Sequence, residues 1–305
     1  MKKIKTLLIG AGRRYSMVEK LKKEGFEVYC YEINELVPVS QNAQIIKGLK
    51  FSDINIKNHI IQTIIENDID ICIPFMDESI PILSELKNDK NSKCIFLCPN
   101  KEASETCYDK SKFEIWMIDN FPNYYPISNN LPKIAKPRFG FSSKEIIFIN
   151  DDSQLSEIDK TKFVIQKRLF GKEYSSDAYF DKFGNFIDCV VRERIRTSGG
   201  EVISSMTLYN EEIYQACKII GERLKLEGPT CFQFIVENET PKIIEINSRF
   251  GGGCILSMES GLDMINLIKK DYFGFDFFYE SLSWKRNLLM ERYFSETFFE
   301  INNKI

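Results

Sequence analysis

The stretch CFQFIVENETPKIIEINSRFGGG, from Cys231 to Gly253, is the part of the sequence around which the fold is organised. Two β-prone runs, Cys231 to Val236 and Lys242 to Ile246, flank the polar residues Glu237 to Thr240. This pattern is typical of two antiparallel strands joined by a turn. The sequence therefore predicts a β-hairpin here.

The polar face of this hairpin carries groups suited to a metal and a phosphate. Strand side chains alternate, so Glu245, Asn247 and Arg249 share one face, and Gln233 on the partner strand is expected on the same side if the register allows. Mg²⁺ prefers such oxygen ligands together with substrate phosphates. Arg249 offers a planar fork for phosphate, and Gly251 to Gly253 free backbone N–H groups to face an anion. A solvent-facing edge hairpin is the alternative, and this stretch alone leaves both open.

Length and composition limit the class of protein. The 305 residues fit roughly two domains, and a net charge of -3 gives no general basic field for nucleic acid. Nine spread-out cysteines and a single histidine argue against structural zinc and predict reduced thiols in the cytoplasm. No run approaches the ~20 apolar residues of a membrane span, and the N-terminal apolar run is too short for a signal peptide.

The first hundred residues alternate short apolar runs with helical patterns, which predicts a small parallel α/β domain. Gly10 to Gly12 follow the first strand, but Tyr15 replaces the third glycine of a dinucleotide fingerprint, so a nicotinamide site is not favoured. The lone His59 lies in a helical pattern and is interpreted as structural. Asp77 and Glu78 follow a buried strand, where ligands of open sheets gather, and are candidate substrate contacts. Capping of the next helix is the alternative.

Lysines and a turn-forming loop recur in the middle of the chain. Lys110 lies in the first turn of a predicted helix, where a cation opposes the helix dipole unless an anion is nearby. Lys136 ends a predicted strand, and the loop Pro137 to Lys144 follows it. Ser142 and Ser143 in that loop can donate to a phosphate that Lys136 also reaches. An ordinary exposed hairpin loop is the alternative.

The run from Phe163 to Lys167 predicts a strand that breaks at Gly171, as a chain does when it passes between domains. Backbone groups around Lys167 and Leu169 can match the donor and acceptor edge of adenine, and Glu173 can accept ribose hydroxyls.

Three arginines precede the Gly199-Gly200 turn. Arg192, Arg194 and Arg196 alternate along a predicted strand and so share one face. Such a stripe, unpaired on its own face, suggests a carboxylate or phosphate partner. A solvated edge strand is the alternative.

In this order the segments resemble the ATP-grasp superfamily, and most of all compact carboxylate-amine ligases related to the large chain of carbamoyl phosphate synthase and to the pyrrolysine-biosynthesis ligase. The motifs that carry the resemblance are Asp109-Lys110, Lys136-Pro137 with its lid loop, Gln166 to Glu173, Gln233, and E-I-N-S-R at Glu245 to Arg249. The resemblance implies an α/β chain, α+β in its C-terminal part, with a Rossmann-like pre-ATP-grasp domain over 1–104 and an ATP-grasp domain over 105–305. The lid would cover about 120–167, and the metal and substrate subdomain about 168–305.

The resemblance also implies roles for single residues. The cofactor ATP would be bound by Lys110, Lys136, Ser142, Ser143, Gln166, Lys167, Leu169 and Glu173. The ligands of Mg²⁺, or Mn²⁺, would be Gln233, Glu245 and Asn247. Arg249 and Lys136 would be catalytic, and the substrate contacts would be Arg192, Arg194, Arg196, Asp77 and Glu78. The sequence departs from many relatives in having one glycine in the lid and Gln166 in place of a glutamate.

The activity implied is ATP-dependent ligation of a small-molecule carboxylate to an amine through an acyl phosphate. No nucleic-acid or membrane partner is expected, and association with a second copy of the chain is left open. A phosphotransferase that acts on a small molecule, or a nucleotide-binding regulator without turnover, is the alternative. The intact Lys136, Glu245, Asn247 and Arg249 argue against the regulator. No general base is obvious from the sequence.

Overall fold

The structure is a computed structural model that describes residues 3–88, 92–140 and 145–300. The chain divides between Leu97 and Cys98 into two compact units, and the segment from Arg292 onward groups with the first. The domain boundary expected after residue 104 stays a prediction. Among the described residues, no helix is both long and apolar enough to cross a membrane.

The first unit is built on a parallel sheet with the order β3-β2-β1-β4-β5. Its strands are β1 Ile4–Ile9, β2 Phe26–Glu32, β3 Gln44–Lys47, β4 Ile71–Pro74 and β5 Ile95–Phe96. Its helices are α1 Tyr15–Lys23, α2 Ile56–Asn67 and α3 Ser79–Leu86. β1 and β4 are almost continuously apolar and buried, as expected of parallel strands covered on both faces. The predicted parallel α/β organisation is confirmed, whereas β3 was not predicted.

The second unit contains two antiparallel sheets. The smaller has the order β7-β6-β8, and the larger has the order β13-β12-β9-β10-β11-β14. The strands are β6 Lys133–Pro137, β7 Ile147–Ile149, β8 Phe163–Lys167, β9 Lys172–Phe180, β10 Phe186–Ser198, β11 Glu201–Leu208, β12 Gly228–Glu237, β13 Thr240–Asn247 and β14 Leu289–Glu291. The helices are α4 Lys101–Tyr108, α5 Lys110–Asn120, α6 Asp152–Ser156, α7 Glu211–Leu224, α8 Cys254–Ser260 and α9 Met264–Phe273.

The larger sheet has one apolar face and one polar face. Helix α7 packs on the apolar face, where Phe180, Phe232 and Phe234 are fully buried. Gly221 lets the helix approach closely, because a Cβ there would lie 2.0 Å from the Phe180 ring. The core therefore lies between α7 and this sheet, and the opposite face is left for polar side chains.

Two predicted elements differ from those observed. The sequence pattern predicts a late strand from Glu291 to Phe299, but the observed strand is Leu289–Glu291, because β14 pairs with β11 over those residues. The sequence pattern also predicts a helix over Ser257 to Leu267, whereas the structure has two helices in this region, α8 and α9. Gly261 ends α8 with a φ of +133°, and the Asp263 side chain caps the start of α9.

Candidate active site

The β12–β13 hairpin brings together the predicted metal ligands. Gln233 pairs directly with Glu245, and Cys231 with Asn247, in the antiparallel register. Gln233 and Glu245 therefore share a face, as the sequence suggested. The Asn247 Nδ2 donates to Glu245 Oε1 at 3.2 Å, so the amide and the carboxylate are in contact. All three side chains are half-buried.

Lys136 lies on β6 of the smaller sheet, and its ammonium interacts electrostatically with Glu245 of this hairpin. Burial lowers the pKa of Lys136, and the positive charge of Lys110 lowers it as well. The carboxylates of Glu245 and Glu173 raise the pKa, but the net effect is a decrease. Within the described ranges, the side-chain ammonium of Lys136 makes no hydrogen bond or ion pair. A partly desolvated ammonium beside a carboxylate and a second cation is suited to an anionic ligand.

The start of α5 is tied to the beginning of the lid loop. Asp109 caps the helix by accepting from Ser111 N–H at 3.0 Å, and it binds the Arg138 guanidinium through two hydrogen bonds of 2.8 and 2.7 Å. Burial would raise the pKa of Asp109, but these donors lower it. Lys110 Nζ donates to the Gly140 carbonyl at 2.8 Å. Arg138 was not singled out from the sequence, and the candidates Ser142 and Ser143 lie outside the described residues.

Gln166 is buried at the end of the smaller sheet. Its Nε2 donates to the Tyr125 hydroxyl, which in turn hydrogen-bonds with Glu114. The Gln166 side chain thus has a partner inside the protein, and its assignment to the cofactor remains a prediction.

The chain leaves β8 through residues 168–171, called here the 168–171 linker. The Lys167 N–H donates to the Pro126 carbonyl at 3.0 Å, and the Arg168 N–H donates to the Pro132 carbonyl at 3.1 Å. The Leu169 N–H has no hydrogen-bond partner among residues 3–88, 92–140 and 145–300. Gly171 is required by sterics, since a Cβ there would lie 2.0 Å from the Val236 carbonyl oxygen.

The predicted stripe of unpaired arginines is wrong. Arg192 is only 1% exposed, and its Nε and Nη2 bind the Asp177 carboxylate at 2.7 and 3.2 Å. Burial acts to lower the pKa of Arg192, but Asp177 raises it above its ordinary value. Asp177 also accepts from the Ser257 hydroxyl at 2.6 Å. Arg192 is buried because β10 lies beside the central strand β9, which carries Asp177. Alternation in the sequence predicts the face on which a side chain lies, but not which strand lies beside it.

The other two arginines are paired as well. Arg194 Nε donates to Glu173 at 3.1 Å, and Arg194 Nη2 donates to the Gly200 carbonyl at 2.9 Å. Arg196 is exposed and binds Glu291 at 2.5 Å, and the strand register shifts between Arg194 and Arg196. Of the three, Arg194 is the one that contacts a predicted nucleotide residue.

Arg249 and the glycines follow β13. Arg249 Nη2 lies 3.5 Å from Asn247 Oδ1, and its Nη1 donates to the Phe250 carbonyl at 3.1 Å. A Cβ on Gly251 would lie 2.5 Å from Asp177 Oδ1, and one on Gly253 would lie 2.6 Å from Arg192 Nη1. These glycines are therefore required by close approach to the buried ion pair, a reason that the sequence did not reveal.

Asp77 and Glu78 lie in the first unit, directly after β4. Helix α3 begins at Ser79, and the side chain of Glu78 at its N-cap position makes no capping hydrogen bond. Glu78 Oε2 is buried and has no hydrogen-bond partner in the described part of the chain. A substrate role for Asp77 and Glu78 remains a prediction. The interpretation of His59 as structural agrees with its 2.8 Å hydrogen bond to the Tyr31 hydroxyl.

The loop after β1 contains a group that sequence reasoning missed. The Glu32 carboxylate accepts hydrogen bonds from the backbone N–H groups of Ala11 and Gly12. Burial raises the pKa of Glu32 from 4.5 to about 7, although these bonds oppose the rise. An internal carboxylate therefore accepts from two backbone donors of the glycine loop.

Comparisons with known proteins point to one class. Residues 159–278 match a family model described as ATP-grasp in the biosynthetic pathway with Ter operon, and residues 6–97 match the PylC-like N-terminal domain. The phosphoribosylamine–glycine ligase of Methanobrevibacter smithii is 24% identical, over 81% of this chain and 67% of the relative.

Solved structures show the same fold. The biotin carboxylase domain of Hydrogenobacter thermophilus 2-oxoglutarate carboxylase, solved with MgADP and bicarbonate, has a TM-score of 0.73 at 14% identity, covering 95% of this chain and 74% of that one. The N5-carboxyaminoimidazole synthetase of Staphylococcus aureus, solved with ADP, has a TM-score of 0.72 at 17% identity, covering 92% and 80%.

The fold is that of the ATP-grasp structures, and residues 159–278 match an ATP-grasp family model, so the resemblance that the motifs predicted is confirmed. Each match covers less than half of the chain: residues 6–97 resemble a PylC-like N-terminal domain, and residues 159–278 resemble an ATP-grasp domain.

Proposed function

We propose that this protein is an ATP-dependent ligase that joins a small-molecule carboxylate to an amine and releases ADP and phosphate. The observation that carries the proposal is the partly desolvated Lys136, without a bonded partner among the described residues, in the field of the Glu245 carboxylate. The ATP-grasp relatives with ligase names support the same chemistry at the level of the family.

The residues that we assign to ATP all lie in the second unit. The Leu169 N–H and the Lys167 carbonyl meet the adenine edge, and Glu173 accepts a ribose hydroxyl. Lys110 and Lys136 bind the phosphates, since both ammonium groups act on the same site. The lid residues beyond Gly140 would exclude water from the reacting groups.

The donor set on the hairpin fits a hard divalent cation. Glu245 supplies one carboxylate, and Asn247 and Gln233 supply amide oxygens, which suits Mg²⁺ or Mn²⁺ shared with substrate phosphates. The ion would neutralise charge on those phosphates when bound. Asn247 would have to turn its amide, because its nitrogen now faces Glu245.

The reaction proceeds in two steps, phosphoryl transfer and then attack by the amine. A substrate carboxylate oxygen attacks the γ-phosphorus of ATP, the bond to the ADP oxygen breaks, and an acyl phosphate forms. The amine then attacks the acyl carbon, the bond from that carbon to the phosphate oxygen breaks, and the proton lost by the amine nitrogen ends on the released phosphate. Lys136 and Arg249 stabilise the negative charge that builds on the transferred phosphoryl oxygens.

Arg194 is the candidate for the substrate carboxylate. Its present partner Glu173 is also the candidate ribose acceptor, so nucleotide binding would draw Glu173 away and leave Arg194 Nε for an acid. Arg192 is not proposed as a substrate contact, because it is buried against Asp177.

We also propose a cytoplasmic location, since all nine cysteines are free thiols, as expected in a reducing compartment.

The test is an ADP-release screen across pooled amino acids and small acids, with hydroxylamine present to trap an acyl phosphate. We expect one acid to give ADP and a hydroxamate, and Lys136→Met to lose both. Glu239→Gln, an exposed change in the β12–β13 turn, serves as the control. A stable phosphorylated product without amine dependence would indicate a phosphotransferase, and nucleotide binding without turnover would indicate a regulator.

A further inference from the structure

The carboxylate of Glu237, at the end of β12, bonds both Lys167, the residue before the 168–171 linker, and Phe170 within the linker. Its Oε1 accepts a hydrogen bond from the Phe170 N–H at 2.9 Å, and its Oε2 pairs with the Lys167 ammonium. The Lys167 bond lowers the pKa of Glu237, so the carboxylate is charged at neutral pH. The Glu237 side chain is 18% exposed and the Lys167 side chain 39% exposed, so the pair is only partly sheltered from water.

The remaining contacts hold the linker in one conformation. The N–H groups of Lys167 and Arg168 are bonded to the carbonyls of Pro126 and Pro132. The Arg168 guanidinium lies over the rings of Phe148 and Phe170, 4.3 and 4.9 Å from their centroids. Leu169 lies between these fixed residues, and its N–H is without a bonded partner in the described ranges.

We infer that Glu237 is a positioning residue for the nucleotide base. By holding Lys167 and Phe170 on either side, it fixes the direction of the Leu169 N–H and the Lys167 carbonyl toward the adenine edge. The inference rests on the proposed ATP site, and it adds a residue that makes no contact with the nucleotide itself. Glu237 belongs to the same strand as Gln233, so one strand supports the base site at its end and the metal site in its middle.

The experiment measures direct binding to the full chain by calorimetry, with ATP·Mg²⁺, GTP·Mg²⁺ and tripolyphosphate as ligands. Glu237→Ala removes both contacts, Glu237→Gln keeps an acceptor for Phe170 but loses the charge, and Lys167→Gln removes the other partner. Glu239→Gln is the matched control, because Glu239 is exposed in the same turn and has no bonded partner in the part of the chain described.

We expect Glu237→Ala to weaken ATP binding about tenfold, as loss of a charge-assisted bond does, with a smaller effect in Glu237→Gln and Lys167→Gln. Preference for ATP over GTP should fall in parallel. Tripolyphosphate binding should stay within about twofold, a tolerance well below the tenfold step expected for ATP. Glu239→Gln should match the parent chain with every ligand.

Equal weakening of ATP and tripolyphosphate would overturn the inference, because Glu237 would then support the fold and not the base. Unchanged ATP binding in all three variants would overturn it too, while the ATP site itself would stand. If the parent chain binds no nucleotide, the proposed function fails and this inference fails with it. Should Glu237→Ala not fold, Glu237→Gln and Lys167→Gln decide the same question.

Discussion

Gln233, Glu245 and Asn247 form a small group of oxygen donors on the polar face of the hairpin, and the ammonium of Lys136 acts on it from the smaller sheet. None of these side chains belongs to the apolar core between α7 and the larger sheet. Their contribution to folding should therefore be small, whereas their contribution to a bound phosphate would be large.

At this scale, we predict that Glu245→Gln or Asn247→Ala lowers turnover at least a hundredfold, equivalent to about 2.7 kcal/mol of barrier. The physical reason is loss of an oxygen ligand for the cation that offsets phosphate charge. Far-UV circular dichroism and thermal unfolding should match the parent protein. Full ADP release by either variant at ordinary Mg²⁺ concentration would contradict the metal assignment.

A second prediction concerns the buried pair of Arg192 and Asp177. Arg192→Met leaves the Asp177 carboxylate buried with only neutral donors, so the free energy of unfolding should fall by about 3–5 kcal/mol. Arg196→Met, which removes an exposed pair with Glu291, should cost about 0–1 kcal/mol. Urea denaturation of both variants measures the difference. Equal stability of the two would show that the ion pair is dispensable.

At the scale of elements, the 168–171 linker joins the smaller sheet to the larger one through strands β8 and β9. Its path is set by the Glu237 carboxylate and by the close approach of Gly171 to the β12 backbone. An element with so few residues has little room to relax, since Arg168, Phe170 and Gly171 are each held against a neighbour. Changes in the linker should therefore affect base binding without touching the phosphates.

We predict that Gly171→Ala weakens ATP binding by about tenfold or more, because a Cβ cannot lie 2.0 Å from the Val236 carbonyl oxygen and the linker must shift. Equilibrium dialysis with ATP·Mg²⁺ gives the measurement. Gly25→Ala tests the general effect of losing a glycine, since its Cβ would meet no atom within 4 Å, although its φ of +89° adds backbone strain. If only Gly25→Ala weakened binding, the linker would not set the base site.

For the whole molecule, the two units carry different chemistry. Every described residue assigned to ATP or the metal lies in the second unit, whereas the glycine loop of the first unit is already filled by Glu32. The nearly buried Glu32 carboxylate binds its proton more tightly in the folded unit than in the unfolded chain. Folding stability should therefore depend on pH through this group.

The sign of this effect follows from the raised pKa. Between pH of about 4.5 and about 7 the unfolded chain loses the Glu32 proton while the folded unit keeps it, so stability falls as pH rises. We predict that Glu32→Gln removes this loss of folding stability. The melting temperature of the variant, measured relative to that of the parent protein, should rise by a few degrees between pH 5 and pH 8, because each kcal/mol of stability corresponds to about 2–4 °C. Glu35→Gln, an exposed neighbour, is the control. A constant difference across this range would refute the prediction.

The sequence by itself determined the elements whose signals are local. Strand alternation placed Glu245 and Asn247 on one face, Asp109 marked the start of α5, and the break at Gly171 separated β8 from β9. These assignments depend on residues within a few positions of one another, because backbone periodicity and capping act over a single turn or strand. The ATP-grasp motifs could be read in order for the same reason.

Only the tertiary structure decided which charges are satisfied internally. Arg192 finds Asp177 15 positions away, Lys167 finds Glu237 70 away, and Arg196 finds Glu291 95 away. The stripe of arginines looked unpaired because the sequence gives side-chain direction but not the neighbour across a sheet. Burial sets the protonation of Glu32 and Lys136 in the same way, since the loss of water around a charge depends on how distant segments pack.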